Sequence, residues 1–111
     1  MTEKQILIVL STCPDGDTAA GIGRTLVAEA LAACVNVVPG IRSIYAWKGE
    51  MQDEAESLMI LKTTTDRFEA LRERLVALHP YELPEVVALA TAGGHDAYFR
   101  WVAEATRTPG E

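Results

Sequence analysis

The hydrophobic pattern of this chain changes period several times, and each change predicts an element. Ile6, Leu7, Ile8, Val9 and Leu10 are consecutive and apolar, so 4–12 reads as a buried strand. Pro14, Asp15 and Gly16 end it with turn chemistry. Asp17 or Thr18 can cap the helix that follows, in which Ile22, Leu26, Ala30 and Ala33 recur at helical spacing up to Cys34. Gly21 and Gly23 inside it read as close-packing points. An apolar stretch at 35–38 is interrupted by Pro39-Gly40; then Ile41, Ser43, Tyr45 and Trp47 alternate with Arg42, Ile44, Ala46 and Lys48. Gly49-Glu50 predicts a hairpin tip and 55–65 the returning strand. Asp66, with Glu69 three residues on, predicts a capping box for a helix whose stripe is Phe68, Leu71, Leu75 and Leu78. His79-Pro80 ends that helix, because the residue before proline avoids helical geometry. After a loop at 81–84 comes a strand at 86–91, and Gly93-Gly94 breaks it. Asp96 then caps a last helix carrying Phe99, Val102 and Ala103, with Tyr98 and Trp101 on one face. The stretch 107–111 reads as a frayed tail.

The order β-α-β-β-α-β-α predicts an α+β fold: a ferredoxin-like βαββαβ sandwich with an antiparallel sheet, a long hairpin and a C-terminal helix. The whole chain, 1–111, reads as one domain. Each hairpin arm of about eight residues spans about 27 Å, long for so small a domain. Its outer edge offers unpaired backbone groups and carries Tyr45 and Trp47, so assembly with further copies of the chain is expected.

Composition narrows the function. The 111 residues are 49% hydrophobic and 23% charged, with formal charge −6. That excludes a disordered chain and disfavours nucleic acid, whose phosphates need the opposite sign. Two cysteines, Cys13 and Cys34, make no disulfide framework. No apolar run approaches the ~18 residues of a membrane span, and the first residues show no signal-peptide pattern. A cytoplasmic protein with reduced thiols is the expectation.

The richest chemistry lies in His79-Pro80-Tyr81-Glu82-Leu83-Pro84-Glu85, which holds an imidazole, a phenol and carboxylates on a loop stiffened by two prolines. His79 suits copper, zinc or nickel, and Glu85 can share the ion; equally, His79 can simply close a helix end. Cys13, in the first loop, is the soft-metal candidate, whereas Cys34 reads as an inert thiol. Lys62 can neutralise an anionic ligand or decorate the sheet. No phosphate-binding glycine loop or nucleophile turn is present, so an enzyme is not expected.

Several motifs resemble one family in particular. Ala32-Ala33-Cys34-Val35-Asn36, Pro39, Ser43-Ile44-Tyr45-Ala46-Trp47-Lys48-Gly49, Leu61-Lys62-Thr63-Thr64, His79-Pro80-Tyr81-Glu82-Leu83-Pro84-Glu85 and Tyr98-Phe99-Arg100-Trp101 are similar to the CutA divalent-cation tolerance proteins, over 6–106. The resemblance implies a cytoplasmic homotrimer whose long hairpins pair edge to edge. It also implies a link to tolerance of divalent cations, Cu²⁺ among them; the candidate metal ligands are His79, Glu85 and Cys13. A further likeness to PII-type signalling trimers implies an intersubunit cleft for a small molecule, lined by Trp47, Lys62, Tyr81, Tyr98 and Trp101. That gives an alternative function: a signalling or scaffold trimer binding an anionic small molecule. The Leu-Cys-Thr and His-His-Pro segments of copper-binding members read Leu10-Ser11-Thr12 and Leu78-His79-Pro80 here. Of those ligands His79 is kept, and Cys13, two positions beyond Ser11, is the candidate replacement thiol.

Overall fold

Backbone pairing sets the architecture. In the computed structural model, which describes residues 4–108, the elements are β1 (Ile6–Cys13), α1 (Gly16–Ala28), β2 (Cys34–Trp47), β3 (Glu50–Thr64), α2 (Phe68–Leu78), β4 (Val87–Ala90) and α3 (Asp96–Ala105). The strands form one sheet in the order β2-β3-β1-β4, with every pairing antiparallel. This is the ferredoxin-like sandwich that the sequence predicts, with α3 added. Of the expected tail, residues 109–111 lie outside the described chain.

Alternation along β1 divides the sheet into two faces. Leu7, Val9 and Cys13 turn to the α1–α2 layer and join Ile22, Leu26, Met59, Leu61, Leu71 and Leu75 in the main core. A fully buried leucine there contributes about 2 kcal/mol relative to an exposed one. Ile6 turns the other way and meets Ala33 and Val102 beneath α3. Gly23 fits its predicted role: a Cβ there would lie 3.1 Å from Val35 Cγ1, so glycine lets α1 close on β2. Gly21 does not, because its Cβ position faces open space.

The helix ends differ from the sequence reading. The cap of α1 is Asp15, in extended geometry, whose side chain accepts the Thr18 N–H at 2.7 Å. Asp17 and Thr18 already lie within the first turn. The helix stops at Ala28, not near Cys34. Ala30 turns left-handed (φ 57°), its N–H bonds Val27 O, and Leu31 N–H bonds Leu26 O. That is the Schellman arrangement, closed by the apolar pair Leu26 and Leu31. Ala33 then donates to Lys62 O at 2.8 Å and enters the sheet side. Asp66 does not cap α2, whose first turn has no side-chain cap. It takes the Thr64 hydroxyl and pairs with Lys4 at 3.3 Å. Asp96 is the first residue of α3, following His95 at the cap position.

The hairpin is longer than predicted, with arms of 14 and 15 residues. Trp47 pairs with Glu50, so the tip is Lys48-Gly49, one residue earlier than expected. Both tip residues have positive φ (50° and 81°), as a two-residue hairpin turn of matching twist requires. Pro39-Gly40 marks a bulge between the Val38 and Ile41 pairings and does not break the strand. β1 ends opposite Ser57, so the part of the hairpin from Ile41 to Glu56 runs past it. The molecule therefore measures 47 × 27 × 23 Å.

Alanine at the left-handed position costs on the order of 1 kcal/mol that glycine does not. Replacing Ala30→Gly is expected to raise unfolding free energy by about 0.5–1 kcal/mol in a denaturant titration. A loss of stability would contradict the Schellman assignment.

Candidate functional site

Residues 79–86 connect α2 to β4 and cross the end of β1 just where the hairpin overhangs it. Two adjoining features result: a buried sulfur–imidazole corner and an open cavity.

The corner begins with alternation in β1, which sends Cys13 to the helix layer, where its side chain has no solvent exposure. Cys13 Sγ contacts Met59 Sδ at 3.4 Å and lies 3.6 Å from His79 Nε2. His79 is 7% exposed. Its Nε2 donates to Thr12 O at 2.7 Å, and its Nδ1 accepts the Tyr81 N–H at 3.1 Å. The carbonyl can only accept and the amide can only donate, so the ring is neutral with its proton on Nε2. Burial, with the nearby charges of Asp15 and Glu56, pushes the Cys13 thiol up to about 11. Cys13 and His79 thus meet, as the sequence proposes, and Met59 is the neighbour that sequence reasoning missed. Glu85 lines the adjoining cavity instead. Among the described residues no three His, Cys, Asp or Glu side chains gather as a metal site. Ser11 Oγ, on the same face, is buried with no hydrogen-bond partner among the described residues.

The cavity, of about 620 Å³, lies between the overhanging hairpin and the 81–85 loop. The two-residue tip fixes the register that builds its far wall. Tyr45 pairs with Gln52, Ser43 with Glu54 and Ile41 with Glu56, each pair on one face. Glu56 is 6% exposed, and its Oε2 accepts the Tyr81 hydroxyl at 2.5 Å. Burial first, then this bond, then the charge of Glu56 hold the Tyr81 phenol well above the ordinary tyrosine range. Burial and the charges of Glu54 and Glu56 raise Tyr45 as well. Trp47, Glu82 and Glu85 also line it, and Lys48 Nζ pairs with Glu82 at 3.3 Å.

Of the expected cleft residues, Trp47 and Tyr81 share this cavity. Lys62, Tyr98 and Trp101 do not line it. Lys62 Nζ bonds Asn36 on the sheet, while Tyr98 and Trp101 stack with each other on α3, ring centroids 5.6 Å apart. The cavity is walled by carboxylates, so its own charge opposes an anion. Glu56 was missed as a neighbour of Tyr45. The signal available was register: counted through the two-residue turn, Gln52 falls opposite Tyr45 and Glu56 opposite Ile41, on one face.

The buried thiol has a consequence for stability. Its folded pKa lies above the unfolded value of 9.0, so the folded state holds the proton longer as pH rises. Cys13 therefore supports folding fully below pH 9, and that support is lost as pH climbs through 9 toward 11. Chemical denaturation from pH 8 to 11 should show a decline for the native chain, on the order of 1–2 kcal/mol of it absent in Cys13→Ala. Equal slopes for the two proteins would contradict the buried thiol.

Comparison with known proteins agrees with the fold. The family model described as CutA1 divalent ion tolerance protein matches residues 7–105. The divalent-cation tolerance protein CutA of Thermus thermophilus is 50% identical over 99 residues, 89% of this chain and 96% of that protein. The chloroplastic protein CutA of Arabidopsis thaliana is 43% identical over 91% of this chain, which spans 56% of that protein's length. The crystal structure of CutA from Xylella fastidiosa superposes with a TM-score of 0.90 at 39% identity, covering 93% of this chain and 99% of that one. The chain belongs to the CutA1 divalent ion tolerance family.

Proposed function

We propose that this protein acts in divalent-cation tolerance as a non-enzymatic binding protein, that copper is the ion it takes, and that it works as a homotrimer in the cytoplasm. The observation that carries the copper reading is the convergence of Cys13 Sγ, Met59 Sδ and His79 Nε2 within 3.6 Å of the thiol. Thiol, thioether and imidazole are soft to borderline donors, which suit copper and disfavour calcium or magnesium. These three residues would hold the ion. Binding replaces the Nε2–H bond to Thr12 O and takes the thiol proton, so the metal must offset the roughly 1–3 kcal/mol of a broken buried hydrogen bond. Glu85 faces the cavity in this reading and stands outside the ligand set. Both cysteines are free, in keeping with a reducing compartment. Among the described residues no helix is long and apolar enough to cross a membrane.

The trimer rests on what one copy leaves uncovered. β2 is an edge strand of 14 residues, and all four residues of β4, the other edge, are exposed. Ile44 (63% exposed), Met51 (80%), Val87, Leu89 and Trp101 are large apolar side chains in water. Pairing edges between copies satisfies the backbone and covers those side chains together. Lys62, Tyr98 and Trp101 are assigned to the intersubunit cleft of that assembly.

Copper titration against a competing chelator under reducing conditions tests the site. Met59→Leu preserves core volume and is expected to weaken copper binding by roughly tenfold, as is His79→Gln. Unchanged affinity in both would reject the corner as the copper site. Sedimentation equilibrium on the same samples should return a mass of three chains, and a folded single chain at micromolar concentration would reject the trimer.

A further inference from the structure

The sulfur–imidazole corner selects more than an element, because its donors also discriminate between charge states. Cys13 comes from β1, Met59 from β3 and His79 from the end of α2. Register pairs Met59 with Ser11 and Cys13 with Ser57, so Cys13 and Met59 are diagonal neighbours on the helix-facing side of the sheet. Neither has any solvent exposure, and His79 is buried beside them. All three belong to one chain and lie beneath its own helix layer. Adding further copies of the chain therefore leaves the corner as it is.

Donor type acts first. The thiol lies 3.4 Å from the thioether sulfur and 3.6 Å from the imidazole nitrogen. Among the described residues no Asp or Glu completes a metal-holding group with Cys13 and His79. Thiolate and thioether together select Cu⁺, whereas Cu²⁺ favours tetragonal sets of nitrogen and oxygen. Ligand number acts next. Three soft donors satisfy a closed-shell Cu⁺ ion. A tetragonal Cu²⁺ ion needs a fourth ligand, ordinarily water, and a corner whose cysteine and methionine have no exposure has no side from which to admit it. The oxygen against the ring nitrogen, Thr12 O, is a neutral carbonyl. Charge acts last. The metal takes the place of the thiol proton, which leaves to solvent, so thiolate and Cu⁺ together stay neutral. The same exchange with Cu²⁺ leaves a positive charge in the core, which is costly there. Asp15 and Glu56, whose charges reach the thiol, attract both ions. They supply no fourth ligand, being engaged with the Thr18 N–H and the Tyr81 hydroxyl.

We infer, resting on the copper reading above, that the corner is a Cu⁺ site: one monovalent copper per chain, held by Cys13 Sγ, Met59 Sδ and His79 Nε2, with divalent ions excluded. The family is described by tolerance of divalent ions; this donor set takes the monovalent one. Holding it also moves a proton on His79. Nε2 gives up its bond to Thr12 O, the ring proton passes to Nδ1, and the Tyr81 N–H loses its acceptor.

Anaerobic titration of the full chain tests this, with Cu⁺ delivered from its bicinchoninate complex and Zn²⁺ and Cu²⁺ from nitrilotriacetate buffers. One Cu⁺ per chain is expected, at an affinity at least about a hundredfold above that for either divalent ion. X-ray absorption of the copper-loaded chain should find two sulfurs and one nitrogen. Met59→Leu should weaken Cu⁺ roughly tenfold and leave Zn²⁺ unchanged. Divalent binding as tight as that of Cu⁺, or a bound copper with four or more ligands, would overturn the assignment. Nitrogen-15 NMR of the His79 ring separates two kinds of failure, since Cu⁺ and Zn²⁺ are both diamagnetic. A ring proton moved to Nδ1 as readily by Zn²⁺ as by Cu⁺ would overturn the monovalent choice and leave the corner a metal site. A ring proton that stays on Nε2 with every ion would overturn the corner itself, and the copper reading with it.

Discussion

One hydrogen bond ties the unusual parts of this molecule together: the Tyr81 phenol on the Glu56 carboxylate, 2.5 Å long and largely out of water. It joins the overhanging hairpin to the loop that leaves α2. A bond to a charged acceptor away from solvent is stronger than an ordinary one, and leaving that acceptor bare is costly. The bond therefore does two things at once. It holds the loop against the hairpin, which gives the cavity its second wall. It also keeps a carboxylate inside the protein, which gives the cavity its sign. The backbone of Tyr81 bonds His79 Nδ1, so the same residue fixes the imidazole tautomer in the sulfur corner. Cavity and corner are two sides of one loop.

That joint depends in turn on hairpin register. The Lys48-Gly49 turn, both residues at positive φ, allows a single two-residue closure. From it the pairing runs back without a slip to Ile41–Glu56, and the bulge at Pro39-Gly40 absorbs the one extra residue of β2. Glu56 reaches the cavity face because the turn counts it there. Moving the turn by one residue, as the sequence alone suggested, would pair Glu56 with Ser43 in place of Ile41, two positions along the same face.

Much of the fold is legible before any coordinates. Five consecutive apolar residues give β1, a helical stripe gives α2, and His79-Pro80 gives its end. What fails is local chemistry with several equivalent candidates. Asp15, Asp17 and Thr18 can each cap a helix, and the extended backbone at Asp15 decides among them. Ala30 and Ala33 continue the helical period, but the Schellman turn and the sheet bond of Ala33 take them out of the helix. Asp66 is drawn away from its cap by Thr64 and Lys4. The site is legible in part for the same reason. His79, Cys13, Trp47 and Tyr81 carry distinctive chemistry in sequence. Met59 looks like core, which it also is, and Glu56 is one acid among four at positions 50–56 until register singles it out. Ser11, where the family resemblance leads one to expect a thiol, is a buried hydroxyl with no partner among the described residues, a local cost that no pattern foretells.

The ionisation of Tyr81 reports on the joint directly. Following ring-labelled tyrosine by NMR across alkaline pH, the account predicts that Tyr81 ionises well above the ordinary tyrosine range in the native chain, through burial first and then the bond to Glu56 and its charge, and lower in Glu56→Gln, which keeps the burial and removes the charge. A Tyr81 that titrates like a free tyrosine, or one indifferent to the loss of that charge, would contradict it.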